Sequence, residues 1–88
     1  MEIVFRAHDF PFGGRDVPED ALAEALIKAN LGEVTGGGAG PGSSNIDVEV
    51  ADLSRGLKVV RETLKKIGAP ASTEIHCYRP EHVVYRLE

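Results

Sequence analysis

Polar and apolar residues alternate at the start of the chain. Ile3, Phe5 and Ala7 fall on one side, with Glu2, Val4, Arg6 and His8 on the other. This period of two predicts a strand over 2–8, buried on one face. Pro11 and the paired glycines of Gly13-Gly14-Arg15 then break regular structure, and Phe10 and Phe12 are read as covering one end of the core. The period lengthens next, because Leu22, Ala25, Leu26 and Ala29 recur at three- and four-residue steps. They predict a helix over 17–30. Asp16 is its expected cap, Glu19 completes a capping-box spacing, Pro18 suits the first turn and Gly32 is its expected stop.

A second strand is expected to begin at 32–35 and to fade into Gly36, Gly37, Gly38, Gly40 and Gly42. That run reads as a flexible connection rich in residues free to take positive φ. Over 45–51, Ile46, Val48 and Val50 alternate with Asp47, Glu49 and Ala51, the cleanest strand of the chain. Asp52 and Ser54 can cap a second helix, whose stripe is Leu57, Val60, Leu64 and Ile67 and whose end is marked by Gly68 and Pro70. Over 72–78, Thr73, Ile75 and Cys77 alternate with Glu74, His76 and Tyr78. A turn at Arg79-Pro80-Glu81 leads into an extended piece over 82–88, which adds a short fifth strand or wraps elsewhere.

The order strand–helix–strand, repeated twice, predicts an α+β fold. It is a ferredoxin-like βαββαβ two-layer sandwich, with an antiparallel sheet covered by two helices on one face. The first and third strands are then central, and the glycine-bearing second strand is an edge. Eighty-eight residues make one domain, 1–88.

Charge refines the picture. The net charge is −4, with nine acids against three bases up to Val50 and five against seven beyond it. The two helices accordingly differ in sign, with Glu19, Asp20 and Glu24 on the first and Arg55, Lys58, Arg61, Lys65 and Lys66 on the second. An acidic chain is a poor nucleic-acid binder, since phosphate contacts supply most of that affinity. The longest uncharged run, 34–46, is dominated by glycine and serine and does not suit a membrane span. Glu2 and Arg6 do not suit a secretory leader, which points to a cytoplasmic protein. Cys77 is the single cysteine and reads as a small buried hydrophobe.

The predicted topology gathers Arg6, His8, Asp47, Glu49, Glu74, His76 and Tyr78 on the face away from the helices. Imidazoles beside carboxylates suit metal binding or acid–base work, and the same residues suit a solvated or protein-docking face. His76 and Cys77 are neighbours in a strand and point to opposite faces, which argues against a Cys–His dyad. The glycines give the outer spacing of a phosphate loop from Gly37 to Gly42, but Ser43 stands where the lysine belongs and a strand follows instead of a helix. RNA-binding, heavy-metal-binding and acylphosphatase domains of this superfold each lack their defining residues here: aromatics on the third strand, a second cysteine, and a complete anion-loop motif.

The reading that fits best is a small binding domain that associates with itself, as a homodimer, or with another protein. One version is an inhibitory, immunity-type partner of a basic protein. Two alternatives stay open. One is a small enzyme, a metal-assisted hydrolase or an isomerase, using His8, His76, Asp47 and Glu49. The other is a ligand- or anion-binding regulatory module at the glycines. No catalytic residue, cofactor or metal ligand is assigned.

Overall fold

A computed structural model describes residues 1–14 and 16–87. The elements are strand β1 (Glu2–Arg6), helix α1 (Asp16–Lys28), strands β2 (Gly32–Gly40) and β3 (Ser43–Val50), helix α2 (Leu53–Lys66), and strands β4 (Glu74–Cys77) and β5 (Val83–Arg86). The strands form one antiparallel sheet in the order β2-β3-β1-β4-β5. This is the ferredoxin-like two-layer sandwich that the element order predicts, with β1 and β3 inside and β2 at an edge. The fifth strand adds to the four-stranded order by pairing Val83 with Cys77 and Arg86 with Glu74. Glu88, the last residue of that segment, lies outside the described residues.

One hydrophobic layer joins sheet and helices. Ile3 and Phe5 of β1, Ile46 of β3 and Ile75 of β4 are fully buried against Leu22 and Leu26 of α1 and Val60 and Leu64 of α2. Each contributes about 1.5–3 kcal/mol by leaving water. Phe10 and Phe12 close one end of this core, edge-on to Phe5 at centroid distances of 5.5 and 6.1 Å. Gly56 lets α2 settle onto β3, since a Cβ at that position would lie 2.6 Å from the Val50 Cβ.

Both helices end in the same way. Leu31 N–H donates to Leu26 O and Asn30 N–H to Ile27 O, with Asn30 at φ 55. Ala69 N–H donates to Leu64 O and Gly68 N–H to Lys65 O, with Gly68 at φ 85. These are Schellman closures, which satisfy carbonyls the helix leaves free. The stop of α1 is therefore Asn30 and not Gly32. Gly32 opens β2, where a Cβ would collide with the Glu49 backbone. At the other end, α2 is capped as expected, by Asp52 Oδ1 accepting from Arg55 N–H at 2.9 Å. Helix α1 begins at Asp16 itself, so that residue lies in the first turn, and the preceding Arg15 lies outside the described residues.

The glycine run is a strand and not a loop. Gly36, Gly37, Gly38 and Gly40 pair in register with Asp47, Ile46, Asn45 and Ser43, after a bulge between Val34 and Gly36. Only Pro41 and Gly42 make the turn. Pro41 holds a negative φ and Gly42 takes φ 81, the combination of a type II turn. Flanking pairing overrides the weak strand propensity of glycine.

Candidate functional site

Strand alternation sets up the site. Because Ile3, Phe5, Ile46, Val48, Ile75 and Cys77 point into the core, their neighbours in sequence point to the sheet face that no helix covers. Register then orders that face into cross-strand rows. One row runs Gly36, Asp47, Glu2, His76, Val84, and the next runs Gly38, Asn45, Val4, Glu74, Arg86. Glu33 lies opposite Glu49 beyond the first row. Arg6 lies opposite Ser43 beyond the second.

The rows separate charge along a diagonal. Glu2, Glu33, Asp47 and Glu49 gather at the β2–β3 corner, whereas Arg6 and Arg86 stand toward the opposite one. Among the described residues, no lysine, arginine or histidine makes an ion pair with Glu33, Asp47 or Glu49. Asp47 takes one long hydrogen bond, from Asn45 Nδ2 at 3.5 Å.

Glu74 is well enclosed, with its side chain 14% exposed. His76 Nε2 lies 3.0 Å from its Oε1, and Arg6 and Arg86 approach its Oε2 at 3.7 and 3.9 Å. The His76 hydrogen bond, helped by the two arginines and opposed by partial burial, holds the Glu74 carboxyl below the usual carboxylate range. The arginines themselves are more than half exposed, so each pair adds little to stability, about 0–1 kcal/mol.

An aromatic group lies beside Glu74. The ring of His82 stacks on Tyr78 with centroids 4.6 Å apart and planes 19° apart. His82 Nε2 also stands 2.9 Å from His76 Nδ1. Tyr78 donates its hydroxyl to Glu2 Oε1 at 2.5 Å, and this bond, with the nearby charge of Glu2 and Asp47, raises the phenol above its ordinary value. Directly beneath, on the core side, Cys77 is buried and its thiol is likewise raised by burial. The sulfur and the His76 imidazole are thus on opposite faces, as the alternation requires.

Of the seven residues expected on the open face, register places Arg6, Asp47, Glu49, Glu74 and His76 there, and Tyr78 joins them through Glu2. His8 does not join them. The strand ends at Arg6, and Ala7–Asp9 form a 3-10 turn closed by Phe10 N–H donating to Ala7 O at 3.3 Å, while Ala7 N–H donates to Gly42 O at 3.0 Å. The His8 side chain is 79% exposed and 3.6 Å from Asp9. Asp9 is in turn held by the Ser72 hydroxyl at 2.7 Å. The enzyme reading thereby loses one of its two imidazoles.

Glu2, Glu33, His82 and Arg86 are the residues that sequence reasoning left out of the site. The signal for His82 was the Arg79-Pro80-Glu81 turn, which folds 82 back toward 76 once β5 pairs with β4. A cleft of about 960 Å³ opens at the end of the sheet beside the acidic corner, lined by Asn30, Leu31, Glu33, Glu49, Tyr78 and Arg79 among others. A second, smaller one lies between the helices, with Ala25, Val59 and Thr63 in its wall. Among the described residues, no group of three or more His, Cys, Asp or Glu side chains is placed to hold a metal ion, and no helix is long and apolar enough to cross a membrane.

No protein-family model matches the chain, and neither a curated protein nor a solved structure matches it.

Proposed function

We propose that the chain is a protein-binding module that docks a basic surface of another protein on its open sheet face. The observation that supports this is the charge of the uncovered face. It carries five carboxylates, Glu2, Glu33, Asp47, Glu49 and Glu74, against the guanidiniums of Arg6 and Arg86. The acids without ion pairs cluster at one corner, where a complementary positive patch gains both steering and register. The cleft beside Glu33 and Glu49 suits an arginine or lysine anchor from the partner, the kind of central side chain on which interfaces depend.

The charge also selects between partners. Two copies stacked face to face each bring more carboxylates than guanidiniums, so their net charge opposes stacking even where the Arg6 and Arg86 corner of one meets the acidic corner of the other. A different, basic protein therefore fits better than a twin. A small substrate fits less well, because neither cleft holds the His76 and His82 imidazoles.

Affinity capture from an extract of the source cells tests this, with the native chain and the Glu33→Lys/Asp47→Lys/Glu49→Lys variant as paired baits. The native bait retains a protein with a basic surface, released by rising salt, and the charge-reversed bait does not. Equal retention by both baits, or none by either, counts against the reading. Sedimentation velocity on the purified chain checks the twin: a monomer is expected, and a concentration-dependent dimer restores self-association.

A further inference from the structure

The imidazole pair of the open face is not used by the docking of a basic surface. His76 Nδ1 and His82 Nε2 are 2.9 Å apart, while the ring centroids are 5.1 Å apart with planes inclined by 28°. The centroid spacing exceeds the nitrogen spacing by about one ring width, so the rings meet edge to edge, nitrogen toward nitrogen. Such a contact needs one N–H and one lone pair.

Glu74 decides which nitrogen of His76 carries the hydrogen. His76 Nε2 is 3.0 Å from Glu74 Oε1. An ionised carboxylate only accepts, so Nε2 holds the proton and a neutral His76 presents Nδ1 as a lone pair. A carboxylate on the far nitrogen is also the arrangement that orients metal-binding imidazoles and makes them better donors. With its side chain 16% exposed, His76 is well held. His82 sits in the exposed turn before β5, where the Tyr78 stack and the contact to His76 hold its ring.

We propose that His76 Nδ1 and His82 Nε2 form a two-histidine site for a divalent first-row transition ion, Cu²⁺ or Ni²⁺, with Glu74 as the positioning residue. Two nitrogens each about 2.0 Å from an ion are about 2.9 Å apart when they subtend a right angle, the angle between neighbouring ligands in tetragonal and octahedral geometry. The observed nitrogen spacing has that value, but the rings face one another along it, so His82 has to turn away from this line before both lone pairs meet one ion. On binding, the ring proton of neutral His82 moves from Nε2 to Nδ1 through solvent, and the ion takes the place of the hydrogen between the rings. Water fills the remaining positions. The carboxylates of Glu2 and Asp47, in the same cross-strand row as His76, raise the local cation concentration.

This site does not rest on the partner reading, because its two ligands, His76 and His82, carry none of the charge on which that reading stands. The test is titration of the purified chain with Cu²⁺ and with Ni²⁺ at neutral pH, read by calorimetry and, for copper, by electron paramagnetic resonance. One ion binds per chain, and the copper spectrum carries the hyperfine pattern of two imidazole nitrogens. His82→Ala weakens binding by more than about tenfold and removes one nitrogen from the spectrum, and Glu74→Gln weakens it by about tenfold while leaving both nitrogens. His8→Ala changes nothing, and His82→Ala leaves capture of a basic partner intact. Binding that survives His82→Ala, binding lost with His8→Ala, or no binding by the folded native chain overturns the assignment.

Discussion

Glu33 and Glu49 stand directly opposite one another across the β2–β3 pair, two exposed carboxylates in register. Like charges so placed destabilise a sheet by about 0.2–1 kcal/mol. Glu33→Lys turns the repulsion into an attraction, so it raises the urea midpoint at low salt, and the gain shrinks as salt screens the pair. The same change weakens binding of a basic partner. A variant that is neither more stable nor weaker in binding leaves the facing acids without a role.

Glu74 makes stability depend on pH in a definite direction. Its carboxyl is held below the ordinary value of 4.5, first by His76 and then by Arg6 and Arg86, so the unfolded chain takes up a proton before the folded one does. The resulting stabilisation is fully present above pH 4.5 and is lost as pH falls through the lower folded value. Urea midpoints for the native chain and for Glu74→Gln therefore differ most above that pH and converge in more acidic solution. A gap that is independent of pH contradicts the assigned cause.

Thr73 is fully buried on the core side just before β4, and its hydroxyl has no hydrogen-bond partner among the described residues. An unsatisfied buried hydroxyl costs about 1–3 kcal/mol. Thr73→Val keeps the branched shape and removes that cost, so thermal unfolding moves upward by an amount worth about 1 kcal/mol. A loss of stability shows that the hydroxyl is satisfied in solution.

Gly56 tests the packing of α2 on the sheet. Helix propensity alone favours alanine there by about 1 kcal/mol. Against this, the added Cβ meets the Cβ of Val50 at 2.6 Å and its Cγ1 at 2.7 Å, atoms fixed close to the backbone. Overpacking costs about 1–3 kcal/mol, so the contact wins and Gly56→Ala lowers the unfolding midpoint. Val50→Ala in the same chain restores part of it.

Period and punctuation carried most of the fold. The strand faces of Ile3 and Phe5, Ile46 and Val48, and Ile75 and Cys77 follow from alternation alone, and the buried Leu22 and Leu26 of α1 and Val60 and Leu64 of α2 follow from three- and four-residue steps, whereas Ala29 lies past the end of α1 and is exposed. The errors fall where a tertiary partner decides. Residues 36–40 carry nothing larger than the Ala39 methyl to declare a strand, and only pairing with β3 makes them one. Asn30 ended α1 before Gly32 because asparagine also accepts the left-handed conformation. His8 continues the alternation in the sequence, but the 3-10 turn closed by Phe10 N–H donating to Ala7 O bends the chain there. Five of the open-face residues followed from parity, while His82 reached the site only through the β4–β5 pairing, which the alternation over 83–87 hinted at without fixing its partner.

The most direct measurement of the central claim is nuclear magnetic resonance mapping of the captured basic partner onto the isotopically labelled chain. The account predicts amide shifts centred on Glu33, Asp47 and Glu49 and spreading along β2 and β3, with α1 and α2 unchanged. Shifts centred on the helix layer, with the open sheet face silent, contradict it.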